Sequence, residues 1–168
     1  MLPAPAVLRL IPWQRFPAKT LFVQEPQLRR IWSPELSEIA ASHTQAWETS
    51  WDESGVVYLA CRGAEVVGIG GWYQMSDTLA GLRWFGLVPE LRGQGLARAM
   101  LAQLLAVLPA TIDSVLEVTR NPASKAFFVR CGFEVVTNPE EIRAAVRAAE
   151  YDIAEGGWVL RAPIFKKM

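Results

Sequence analysis

The sequence predicts an α/β fold in which helices flank a mixed, mainly antiparallel central sheet. Three observations predict it. Three short apolar runs separated by tight turns lie between Val56 and Val88. A glycine loop then passes straight into an amphipathic helix pattern, VPELRGQGLARAML, Val88 to Leu101. Beyond it, strand-like and helix-like runs alternate. The composition fits: 168 residues, 51% hydrophobic and 20% charged, suit one compact domain over 1–168 that buries a proper core.

In chain order, the part before Val56 is rich in Pro and Trp and is expected to be helical. Ser33-Pro34-Glu35 reads as a helix start, with Leu36, Ile39, Ala40, His43 and Trp47 following on one face. From Val56 the pattern becomes stranded: VVYLACRG, a turn at Arg62-Gly63, EVVGIGGWYQM, a turn at Ser76-Asp77, then GLRWFGLV. Three neighbouring antiparallel strands follow from such short connections. The last run stops at Pro89, and Leu96, Ala97, Met100, Leu101, Leu104, Leu105 and Leu108 then recur at helical spacing. IDSVLEV, residues 112 to 118, is the next strand; a strand–helix–strand crossover makes its strands parallel, so the sheet is mixed. Asn121-Pro122 caps a helix that ends at Cys131-Gly132, and strand FEVV follows. Asn138-Pro139-Glu140-Glu141 opens a further helix with Ile142, Ala145, Val146 and Ala149 on one face, before a last strand near Trp158 to Phe165.

Charge and cysteine usage narrow the function. Seventeen basic residues balance seventeen acidic ones, so no global field recruits nucleic acid or an anionic membrane, and any anion site is local. Cys61 and Cys131 make no disulfide framework, and the N-terminus lacks the layout of a signal peptide; the expectation is a cytoplasmic protein. The glycine loop supplies the local anion site. It turns several backbone N–H groups, and the positive end of the helix dipole, towards one point. Two familiar phosphate loops do not match: the dinucleotide fingerprint's third glycine is missing, as is the Gly-Lys-Ser/Thr of an NTPase loop.

What these residues resemble is the acyl-CoA-binding motif of the GNAT superfamily of N-acetyltransferases, Arg/Gln-x-x-Gly-x-Gly/Ala, met by Arg92, Gly95 and Ala97. A second block of that family is matched by NPASKAFFVRCGF, with Asn121, Ser124, Phe127, Phe128 and Gly132-Phe133 in the expected places. Gly68 in EVVGIGG takes the usual glycine of the third strand, and the resemblance spans roughly 55 to 135 in order. One position departs: the tyrosine that often protonates the departing thiolate is Phe128 here.

The resemblance implies a GNAT-like acyl-CoA N-acyltransferase fold, acetyl-CoA as donor, no metal, and direct transfer to an amine on a protein N-terminus, a lysine or a small molecule. By the same resemblance the loop amides of Arg92, Gly93, Gln94, Gly95, Leu96 and Ala97 hold the pyrophosphate. The backbone of Phe85, Leu87 and Val88 pairs with the pantetheine arm, and an N–H near Phe85, freed by a bulge, polarises the thioester carbonyl. Asn121, Lys125 and Phe128 line the cofactor in this reading, although Asn121 also serves as a helix cap and Lys125, like Arg98, as a solvated helix residue. The oligomeric state stays open, a homodimer included.

The acceptor amine must lose a proton, so a base is needed. Glu117 is the candidate: relatives that acetylate protein N-termini carry Leu-Glu-Val on this strand, and LEV here is 116–118, one residue closer to Asn121 than in those relatives. A solvated strand-end carboxylate is the plainer reading. His43 lies on an apolar helix face, and Cys61 and Cys131 read as buried thiols. Trp47, Trp51, Trp72, Trp84 and Trp158 fill the core or in part line an acceptor cleft, beside the acidic Glu48, Asp52, Glu53 and Asp77. The alternative to an enzyme is an acyl-CoA-binding regulatory or scaffold domain without turnover.

Overall fold

The computed structural model describes residues 8–13, 25–31, 55–119, 121–143 and 158–164. Strand formation starts earlier than the sequence suggests, at Leu8–Trp13 (β1). This corrects the expectation that everything before Val56 is helical. β1 pairs antiparallel with Gly55–Arg62 (β2), from Leu8 opposite Arg62 to Trp13 opposite Val57. The break in pattern that hid it, Pro12, is tolerated because β1 is the edge strand of the sheet among the described residues, where one side of the ladder needs no N–H. The helix expected from Ser33, with His43 and Trp47, lies outside the described residues.

Glu65–Gln74 (β3) and Leu79–Leu87 (β4) follow, and with Ser114–Thr119 (β5), Glu134–Val135 (β6) and Trp158–Pro163 (β7) the seven described strands share one sheet in the order β1-β2-β3-β4-β5-β7-β6. β2 and β3 are joined by two residues, Gly63 and Ala64, a connection that only antiparallel neighbours permit. β4 runs through a short 3-10 turn, Pro89–Leu91, into the helix Leu96–Ala106 (α1). Leu108, expected on that helix, falls beyond its C-cap at Val107. β5, the helix Pro122–Arg130 (α2), β6 and β7 complete the described elements. Residues 139–143 begin a helix whose expected continuation through Ala145, Val146 and Ala149 lies outside the described residues, as does Phe165.

By packing the chain forms two compact units, one drawn from Met1–Gly71 and Trp84–Val107, the other from Trp72–Arg83 and Leu108–Met168. In the first, Met100 of α1 packs in a core with Leu8 of β1, Leu28, Val57, Ala60 and Ile69. α1 is held there by its apolar face, Met100, Leu101 and Leu104, all buried. In the second, β5 is parallel to β4 for three pairs, Leu79–Ser114, Ala80–Val115 and Gly81–Leu116, and antiparallel to β7 along all of Ser114–Thr119. β7 also pairs with β6, so it fills the place between strands that precede it in sequence. No helix among the described residues is long and apolar enough to cross a membrane.

Candidate active site

The residues expected to act fall into two groups, one in each unit. The first is the loop between β4 and α1. Its start is anchored: Val88 N–H donates to Val67 O at 2.9 Å, and Leu91 N–H and Arg92 N–H donate to Val88 O and Pro89 O at 3.1 and 3.2 Å. Arg92 clamps it from outside, its Nε donating to Leu87 O at 3.2 Å and its Nη2 to Ile31 O at 2.5 Å. The side chain the motif singles out therefore fastens the loop. A contact sixty-one residues distant in sequence could not be read from spacing. Gln94 reaches back to Glu90 O at 3.3 Å.

From there the chain turns on two left-handed glycines, Gly93 at φ 79° and Gly95 at φ 78°. A Cβ built on either would meet nothing within 4 Å. Glycine is needed for the dihedral, and the space outside is open to whatever approaches. Gly95 caps α1 with no side chain, its carbonyl taking the Ala99 N–H at 3.2 Å. The amides of Leu96, Ala97 and Arg98 have no acceptor among the described residues, as the first turn of a helix requires when no side chain caps it. An anion of phosphate size fits this cradle: open space, bare amides, and the positive end of the dipole. Leu96 and Ala97, both half-buried, pack against the core.

Upstream, Leu87 and Val88 are buried and Phe85 packs its ring against the same core, so these residues offer backbone alone. The Val88 N–H is already committed to β3, which removes it from any pairing with an extended ligand. Gly68 has a packing reason: a Cβ there would lie 2.7 Å from Leu87 Cδ2 and 2.8 Å from Gly86 O.

The second group sits on β5 and α2. The ladder joining β5 to β4 ends at Leu116, and Glu117 is the next residue, with Leu160 of β7 as its registered neighbour. Glu117 is half-buried as a residue, yet its Oε2 is sealed from solvent and has no partner among the described residues. Burial pushes its pKa well above the ordinary carboxylate range. The plain alternative, a solvated strand-end carboxylate, does not match this environment. Trp72 Nε1 on β3 is likewise buried without a partner among the described residues.

Asn121 performs the capping expected of it: Oδ1 accepts from Ala123 N–H at 2.9 Å, while its own N–H donates to Thr119 Oγ1 at 3.1 Å. Lys125 Nζ lies 4.6 Å over the Trp158 ring, a cation–π contact that places the ammonium against an aromatic face. Phe128 is 2% exposed, edge-to-face with Phe127 and Phe133 at 5.1 and 5.0 Å. Cys61 is buried and burial raises its pKa, as befits an inert thiol; Cys131, expected to be buried, is half-buried because it caps the exposed end of α2. Among the described residues no group of His, Cys, Asp and Glu could hold a metal ion. Trp47, Trp51, Glu48, Asp52 and Glu53 lie outside the described residues.

A family model for acetyltransferases of the GNAT type matches residues 24–133. Among solved structures, an acetyltransferase from Thermus thermophilus superposes with a TM-score of 0.65 at 20% identity, over 94% of this chain and 97% of that one. The ribosomal-protein-S18-alanine N-acetyltransferase of Escherichia coli gives 0.64 at 16% identity, over 96% and 97%. The PaiA N-acetyltransferase of Thermoplasma acidophilum, in complex with coenzyme A, gives 0.65 at 12% identity, over 94% and 99%. At these identities the likeness is one of fold, and no curated protein matches the sequence.

Proposed function

The chain belongs to the GNAT acetyltransferase family and is an acyl-CoA-dependent acetyltransferase; we propose that it passes the acetyl group directly to a primary amine, with Glu117 receiving the acceptor's proton. The observation that carries this reading is the open glycine cradle before α1, whose bare amides suit the pyrophosphate of acetyl-CoA. Bound acetyl-CoA supplies the activated acyl carbon, whose bond to sulfur breaks as the amine nitrogen bonds to it, leaving an acetamide and the free thiol.

The chain's own residues orient and move protons. Of the two protons an acceptor ammonium loses, one ends on the thiol and the other, by way of Glu117, in solvent. A carboxyl whose pKa is raised by burial is a stronger base than a solvated one, which brings it closer to the amine it must deprotonate. Phe128 has no proton to give, so the thiolate is neutralised by water or by the acceptor's own proton. Release of free thiol from acetyl-CoA, followed across a panel of peptide N-termini, lysine peptides and small amines, tests the reading: thiol release that depends on one class of amine supports it, and none with any amine overturns it.

A further inference from the structure

Two buried polar atoms, Trp72 Nε1 and Glu117 Oε2, lack hydrogen-bond partners among the described residues, and both belong to the same compact unit. The sheet tells how they stand. Met75 N–H donates to Leu79 O at 2.9 Å and opens the β3–β4 hairpin, so two residues further along each strand Tyr73 stands opposite Gly81. The packing agrees, since a Cβ on Gly81 would lie 2.3 Å from the Tyr73 ring. Gly81 is paired in turn with Leu116. Neighbours across a sheet share a face and successive residues alternate, so Tyr73, Gly81 and Leu116 share one face. The next row, Trp72, Leu82 and Glu117, shares the other. Met75, Leu79 and Val118, which pack with Leu116, fit the first face by the same alternation.

Trp72 and Glu117 therefore rise from one face, two strands apart, or about 10 Å at the backbone. Their row is the first beyond the end of the β4–β5 ladder. One is a donor, the other an acceptor. Buried polar groups are nearly always paired, so two orphans of opposite kind on one face call for an occupant with the opposite pattern. An α-amino amide has it. Its ammonium donates to a carboxylate and the carbonyl beside it accepts an N–H; with hydrogen bonds of about 2.9 Å at either end it spans roughly 9 Å. An ω-amine has only methylenes beside its nitrogen and leaves the indole unpaired.

We infer that Trp72 is a specificity-determining residue whose indole N–H binds the carbonyl next to the reacting amine, so that the acceptor is an α-aminoacyl group, as at a peptide N-terminus, rather than an ω-amine. This rests on the acetyl-transfer reading above. The test measures kcat/KM for alaninamide and for isopropylamine in the unmodified protein and in Trp72→Phe, which keeps an aromatic ring and removes the donor. The ratio of the two constants is expected to fall by about tenfold to a hundredfold, mainly through KM for alaninamide. Intrinsic amine reactivity cancels because the same pair is compared in both proteins. A structural role for Trp72 lowers both constants alike and leaves the ratio, which overturns the inference. So does an unmodified protein that acetylates a lysine ε-amine or isopropylamine but not alaninamide. Absence of thiol release with every amine tested overturns the transfer reading instead. If Trp72→Phe does not fold, indole NMR of the unmodified protein with CoA decides: one indole N–H resonance moves with alaninamide and not with isopropylamine, and no such shift overturns the inference.

Discussion

A carboxyl group sealed from water resists ionisation, and at Glu117 that resistance has two measurable signs. The base works only when ionised, so kcat should fall as pH drops through its raised pKa, at a pH above the ordinary carboxylate range. Glu117→Gln should lower kcat by roughly ten- to a thousand-fold and abolish that limb, with acetyl-CoA affinity nearly intact. Stability should move the other way. The folded state holds a proton that the unfolded chain releases near pH 4.5, so the native protein loses stability as pH rises from there towards the folded pKa. The Gln variant lacks this loss: its thermal midpoint should exceed the native one at alkaline pH, and the gap should close towards pH 4, as a melting series shows. LEV made Glu117 legible as a base candidate, but its burial was not legible, because β7 flanks β5 and its residue opposite Glu117 is Leu160, 43 residues later. Phe128 was legible as a departure from the family. A thiol of pKa about 8.5 leaves readily as a thiolate, so Phe128→Tyr should change kcat by less than about tenfold. The hydroxyl enters a packed ring cluster, however, and should cost about 1–3 kcal/mol of stability, visible as a lowered melting temperature.

At the scale of elements, the glycine loop gives the sharpest contrast. Gly95 and Gly63 share a left-handed φ, 78° and 63°, and each would place a Cβ in open space. A side chain at either costs about 1 kcal/mol of backbone strain. Gly63→Ala, in the β2–β3 turn, should show that cost alone and bind acetyl-CoA normally in calorimetry. Gly95→Glu should fold comparably and lose acetyl-CoA binding, since bulk and negative charge now occupy the cradle. Unchanged affinity in Gly95→Glu would place the cofactor elsewhere. Elements that are short apolar runs bounded by turns, or that carry clear caps, were readable: β2, β3 and β4, the parallel β5, and α2 between Asn121 and Gly132. β1 was not, because Pro12 interrupts a run of six residues and is acceptable only where the sheet happens to end. The row that joins Trp72 to Glu117 depends on register between three strands, which no local pattern encodes.

For the molecule as a whole, the balance of 17 basic and 17 acidic residues leaves a formal net charge of zero at pH 7. Proteins without net charge associate most readily, so solubility against a crowding polymer should pass through a minimum near neutral pH and rise at about pH 5.5 and pH 8.5. Uniform solubility across that range would show that apolar contacts, not charge, govern association. The position of β7 has a different consequence, in time rather than in space. Among the described residues β6 has no neighbour in the sheet other than β7, and β7 is made after it. The sheet cannot grow in the order in which the ribosome supplies its strands. β6 must wait, and the strand carrying Glu117 has one flank bare, until Trp158–Pro163 has been synthesised and inserted between them. Until then a nascent chain exposes two unfilled strand edges, which makes this half of the protein the one that a chaperone, or another unfinished copy, would meet first.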